Sequence, residues 1–165
     1  MKSSRETIYQ AVFDLLTKSL LAGGQLTSAS RKFRPMPMVK PGETPILMAV
    51  QSSEEPTGLN KGNIAMPYAW ELRLFAVVYV MAAPADPDFI PASYLNPILD
   101  YIESTFPPQQ LAMPGNPATG YQRNTLGGLP GVYQACLDGK AEFGFAEGVI
   151  APNQFMSVPL KIIAL

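Results

Sequence analysis

Apolar residues recur at helical spacing near the start of the chain: Ile8, Val12, Leu15, Leu16 and Leu20, with Phe13 widening the stripe. Ser3 followed by Glu6 fits a capping box, in which each side chain satisfies the other's free backbone N–H. Gly23-Gly24 supplies a left-handed stop. A helix is expected from about Ser4 to Leu21, its apolar face against a sheet. Phe33, Met36 and Met38 then alternate with Pro35 and Pro37, and proline cannot donate to a ladder, so Ser30 to Val39 predicts an edge strand or an extended arm. Pro45 to Gln51 reads as a short buried strand, and Ser52 to Pro67, rich in Gly, Asn, Pro and Glu, as a long loop.

The strongest strand signal runs from Tyr68 to Ala82. Tyr68, Trp70, Leu72, Leu74, Ala76, Val78 and Val80 alternate onto one face. Ala69, Glu71 and Arg73 make the other face wet at first, and Phe75, Val77, Tyr79 and Met81 make it apolar further on. At about 3.3 Å per residue such a strand reaches roughly 50 Å, so it either bends or leaves the domain body and offers an edge for pairing.

Pro84 to Pro91 is a turn-rich connection. A second helix carries Leu95, Ile98, Leu99, Ile102 and Phe106. Asn96-Pro97 matches an N-cap followed by proline at the first helical position, and a start near Pro91 with a kink at Pro97 is the alternative. Pro107-Pro108 ends it. After the irregular stretch Gln109 to Leu129, Val132 to Leu137 reads as a strand and Asp138-Gly139 as a tight hairpin turn. Ala141, Phe143 and Phe145 alternate on the returning strand. Phe155 to Leu165 closes the chain, with Met156, Val158, Leu160 and Ile162 on one face and Pro159 marking a partly unpaired edge. Helix, two or three strands, helix, then three strands predicts an α+β fold: a mostly antiparallel sheet of about five to six strands with two main helices on one face.

Length suits a single domain over 1–165. Charged residues make up 15% of the chain, against about 25% in typical domains. So few charges leave much surface to neutral and apolar groups, either as a neutral, proline-rich surface or as area covered by partners. The formal net charge is −1, and no charge run exceeds Glu54-Glu55 or Arg31-Lys32. The basic stripe of a sequence-independent DNA binder is missing, so any nucleic-acid contact is expected to be loose or absent. The N-terminus lacks the apolar region of a signal peptide, and the longest apolar stretch, Leu74 to Ala83, is about half of what a spanning helix needs. The expectation is a soluble cytoplasmic protein without a membrane partner.

The chain contains no histidine, which removes Ser-His-Asp and Cys-His nucleophilic sites and imidazole zinc sites. The single cysteine, Cys136, lies in an apolar stretch and reads as a small core residue. Asp86 and Asp88 make a close acidic pair, but ahead of a helix they read as turn and capping residues. Asp100 and Glu103 lie beside the apolar stripe of the second helix, and Glu54-Glu55 resembles a solvated loop tip. Gly127-Gly128-Leu129-Pro130-Gly131 lacks the Lys-Ser/Thr of a phosphate loop. No acid, base and oxyanion donor come together, so no catalytic, cofactor-binding or metal site is assigned and no enzyme is expected.

The run Leu95-Asn96-Pro97-Ile98-Leu99-Asp100-Tyr101-Ile102-Glu103, then Asn124-Thr125-Leu126-Gly127-Gly128-Leu129, Asp138-Gly139 and the closing Val158-Pro159-Leu160-Lys161-Ile162, resembles the tail-terminator proteins of long-tailed bacteriophages. The opening helix and the strands near Phe33-Arg34 and Pro45 to Gln51 are similar to that family too. The proline-rich stretch between Gln109 and Gly120, and Leu129-Pro130, depart from its pattern. The resemblance implies a virion subunit of the tail neck, assembled in the host cytoplasm into a hexameric ring. That ring caps the tail tube, ends its polymerisation and joins the tail to the head connector. A contractile sheath is a further implied partner, and DNA passes through the lumen without specific binding. The loops Ser52–Pro67 and Gln109–Leu129 are where neighbours are expected to meet. A head-tail joining or minor tail protein is the alternative, and a small carboxylate-based enzyme a more distant one.

Overall fold

A computed structural model describes residues 2–57, 69–82, 88–108, 124–145 and 154–164. The order is α1 (Arg5–Ala22), β1 (Ser28–Ser30), β2 (Ile46–Thr57), β3 (Ala69–Val80), α2 (Pro91–Thr105), β4 (Val132–Leu137), β5 (Glu142–Phe145) and β6 (Gln154–Ala164). The strands form one six-stranded sheet in the order β1-β2-β3-β6-β4, with β5 also on β6. Among the described residues only the β1–β2 pair is parallel. The fold is α+β with a mostly antiparallel sheet, as the pattern predicts.

Both helices lie on one face. Ile8, Val12, Leu16 and Leu20 of α1 and Leu95, Ile98 and Ile102 of α2 share one core with Leu72, Leu74, Ala76 and Val78 of β3 and Met156, Val158, Leu160 and Ile162 of β6. The two-residue period of the strands puts these even positions on the helix side. Tyr101 ties the helices together by donating its hydroxyl to the Leu15 carbonyl at 2.6 Å.

The first helix is capped by Ser4, not Ser3: the Ser4 hydroxyl accepts from Thr7 N at 3.1 Å. Glu6 does not close a capping box, because its carboxylate engages Arg31. The left-handed stop sits at Gly24, with φ of 77°. Of Ser30 to Val39 only Ser30 is in a strand. The edge strand is the three-residue β1, and the prolines that follow fold Met36–Met38 into a single 3-10 turn. β2 runs to Thr57 where a loop was expected from Ser52, and its ladder with β3 spans Ile46↔Tyr79 to Thr57↔Ala69 with a bulge between Gln51 and Ser53. The rest of the expected loop, 58–67, lies outside the described residues, as does Tyr68.

β3 neither leaves the domain nor offers an edge. It is paired along its length by β2 on one side and β6 on the other. The outer side of β2 beyond Met48 has no partner strand among the described residues. The bulge, Glu54-Glu55 and Pro56 guard that side as such edges usually are guarded.

The second helix starts at Pro91, the alternative reading, so Asn96 is not its N-cap and Pro97 lies inside it. Asp138-Gly139 makes no hairpin. β4 pairs with Leu160–Ala164 of β6 and β5 with Gln154–Ser157, both antiparallel, so the chain keeps its direction along one flank of β6. Pro159 explains the break. Its carbonyl accepts from Asp138 N at 2.9 Å, and in an antiparallel strand a residue's N–H and C=O point to the same side. The missing donor of Pro159 therefore falls where β4 gives way to β5.

Leu126, Gly127 and Gly128 have φ of 54°, 74° and 80°, and Leu129 N donates to Thr125 O at 3.1 Å, closing one left-handed turn. Asn124 anchors it, donating Nδ2 to Thr105 O at 2.7 Å at the end of α2 while its carbonyl accepts from Ala135 N of β4 at 2.7 Å. A Cβ on Gly128 meets nothing within 4 Å, so its requirement for glycine is conformational alone. Gly128→Ala is expected to cost about 1 kcal/mol, read as a lower urea midpoint at unchanged slope; an unchanged midpoint contradicts the turn.

Candidate functional site

The face of the sheet away from the helices is divided by chemistry. Its rows across β2, β3 and β6 are Glu55–Glu71–Ile163, Ser53–Arg73–Lys161, Val50–Phe75–Pro159, Met48–Val77–Ser157 and Ile46–Tyr79–Phe155. The first two rows are charged and the last three nearly all apolar.

At the charged end Arg73 is the hub. Its Nη1 is 2.6 Å from Glu55 Oε1, its Nη2 2.8 Å from Glu71 Oε2 and its Nε 3.1 Å from Asp138 Oδ2. Lys161 Nζ lies 3.4 Å from the other oxygen of Asp138. Asp138 thus sits between two cations that face each other across the β3–β6 ladder. Two cations meet three carboxylates, and every charge has a partner.

At the apolar end, Phe33, Met36, Val77, Tyr79, Phe155 and Ser157 line an open groove of about 420 Å³. Its floor is the sheet, where Tyr79 and Phe155 meet edge to face with ring centroids 6.5 Å apart. Its wall is the segment after β1. Arg34 N donates to Met48 Sδ at 3.2 Å, and the Arg34 guanidinium pairs with Glu43 at 3.1 Å. Glu43 also accepts from Lys40 N at 2.9 Å, and that backbone bond, then Arg34, holds its carboxyl below the usual range. Burial raises the Tyr79 phenol. Phe33 is 48% exposed and Phe75, one row further along, 39%. Gly144 lies beside the floor, where a Cβ would run into the Phe155 ring.

A second apolar projection stands at the start of α2. The Phe89 and Tyr94 rings stack 5.1 Å apart, Ile90 is 64% exposed and Tyr94 47%. Ile90 occupies the N-cap position without a side-chain cap, and Ser93 N donates to its carbonyl at 3.1 Å.

The chain matches no protein-family model and no curated protein.

The carboxylates singled out in the sequence are not brought together. Asp86 lies outside the described residues. Asp88 is exposed in a turn, and Asp100 and Glu103 are exposed on α2. Glu54 and Glu55 point to opposite faces. Glu54 takes Arg5 Nε at 2.8 Å and the Tyr9 hydroxyl at 3.2 Å on the helix side, while Glu55 takes Arg73 on the other. The Arg5 guanidinium also lies 4.9 Å above the Trp70 ring. Burial, then Glu54, raises the Tyr9 phenol, so it stays a neutral donor. Cys136 is fully buried, and burial pushes its thiol up to about 11, which keeps it protonated at neutral pH. Among the described residues no three His, Cys, Asp or Glu are placed to share a metal ion, and no helix is long and apolar enough to cross a membrane.

Sequence reasoning missed the groove and the Arg73 hub. The alternation of Phe75, Val77 and Tyr79 was the available signal for the groove floor. No local pattern couples Asp138 to Arg73, because that contact depends on β4 and β5 both running along β6.

Proposed function

We propose that this chain is a non-catalytic ring subunit of a long-tailed phage neck, a tail terminator. Six copies would cap the tail tube, end its polymerisation, and present one face to the head connector and the rim to a sheath where one exists. DNA passes the lumen without specific contact. The observation that carries this reading is the outer face of the sheet: an uncharged groove bordered by exposed Phe33 and Phe75 in a chain only 15% charged. Exposed apolar area of this kind marks surfaces that partners cover.

The residues that resemble the terminator family support it by their placement. Asn124 joins α2 to β4, Leu126 to Gly128 make the left-handed turn, and Pro159 sets the step from β4 to β5. They are joints of a scaffold and do not surround a common pocket, as suits a subunit whose work is shape.

The test is genetic and morphological. A phage lacking this chain is expected to build tails of uncontrolled length, measured on electron micrographs against the parent. Tails of normal, uniform length in that mutant overturn the reading.

A further inference from the structure

We propose that neighbouring copies meet by seating the Ile90–Tyr94 shoulder of one in the Phe33–Phe155 groove of the next. This rests on the ring reading and names the contact that builds the ring. Each element is an apolar patch that this chain leaves exposed: Ile90 at 64% and Tyr94 at 47% on the shoulder, Phe33 at 48% on the groove. They lie apart on the subunit, the groove on the sheet's outer face and the shoulder at the start of a helix packed on the other face. Two different patches that fit each other give a head-to-tail contact, the kind that repeats around a ring, whereas a self-complementary patch stops at a dimer.

Charge selects the same pairing. On the segment that walls the groove, residues 31–43, Arg31 is paired with Glu6 and Arg34 with Glu43, which leaves the exposed Lys32 and Lys40, while on the β5 side the exposed Glu142 lies opposite Ser157. The shoulder and its helix carry Asp88, Asp100 and Glu103, all exposed, and the sequence contains no Lys or Arg between Arg73 and Arg123. Shoulder against shoulder brings carboxylates together; shoulder against groove brings them to the wall that carries Lys32 and Lys40. The contact itself is uncharged, since Phe33, Met36, Val77, Tyr79, Phe155 and Ser157 meet Ile90 and Tyr94 without burying an unpaired ion.

The test is a directed disulfide in assembled tails. Ile90→Cys and Ser157→Cys are produced together in phage-infected cells, and separately as controls, and the purified tails are oxidised. Cys136 is fully buried and does not compete. Covalent dimers are expected where both variants are present and not with either alone. Cross-linking by Ile90→Cys alone identifies a shoulder-to-shoulder contact and overturns the proposal. So does cross-linking of Ser157→Cys to a tube or connector protein, and so does a mixture that cross-links no more than the single variants. As a second arm, Ile90→Asp alters an exposed side chain and, because Ile90 is the uncapped N-cap of α2, should leave the thermal melt unchanged or raise it. It is expected to weaken ring assembly about tenfold or more, as loss of a central apolar anchor does. Equal assembly by Ile90→Asp overturns the contact. The ring reading is judged separately, by tail length in the deletion mutant.

Discussion

Phe106→Ala is expected to lower the unfolding free energy by about 3–5 kcal/mol. Phe106 is fully buried and belongs to the core that both helices share with the sheet. It is the C-cap of α2, and its N–H donates to Ile102 O at 2.8 Å, so its backbone place is fixed by the helix end. Pro107 and Pro108 follow directly, which leaves the segment little freedom to collapse into the space a ring vacates. The cost is therefore a lost transfer term plus a cavity, and it takes up a large part of the roughly 5–15 kcal/mol that a domain possesses. Phe75→Ala, in the same urea experiment, is the comparison. Phe75 is 39% exposed on the outer face and is expected to cost under about 1 kcal/mol. Equal losses for the two substitutions would mean that the core lies on the other face of the sheet.

That division of the two faces was half legible in the sequence. The even positions of β3 and, from Met156 onward, of β6 are apolar, and a period of two tells which side is core without knowing what covers it. The stripe of α1 was equally direct. What the sequence hid depended on long-range pairing. Ser52 to Thr57 has the composition of a loop, yet it is strand because its ladder with β3 continues, and its carboxylates find partners on both faces in Arg5 and Arg73. Pro56 is tolerated there because no described strand lies on the outer side of β2. Asp138-Gly139 carries the local signature of a hairpin, but a hairpin needs the next strand to turn back. Here β6 offers a flank long enough for β4 and β5 in succession, and Pro159 supplies the gap between them. The groove was hidden for a similar reason. Its floor is written in the alternation of β3, but its wall is the proline-rich segment after β1, which folds into a 3-10 turn where an edge strand or an extended arm was expected.

Asp138→Ala is expected to cost about 1–2 kcal/mol, more than a surface ion pair contributes and less than a fully buried one. The reason lies in what remains. Arg73 and Lys161 are directly opposed on β3 and β6, and like charges in that relation repel. Asp138 lies between them, 3.1 Å from Arg73 Nε and 3.4 Å from Lys161 Nζ. Arg73 keeps Glu55 and Glu71, but Lys161, whose side chain is 13% exposed, would lose the one carboxylate placed against it among the described residues. The backbone bond from Asp138 N to Pro159 O does not involve the side chain, so the substitution probes charge without removing the joint. A double-mutant cycle isolates the cause. With Lys161→Met as the second change, the loss caused by Asp138→Ala should shrink by about 0.5–1 kcal/mol, because the opposed cation is gone. Two effects that simply add, to within about 0.3 kcal/mol, would show that Asp138 stabilises the step between β4 and β5 by some route other than separating these two cations.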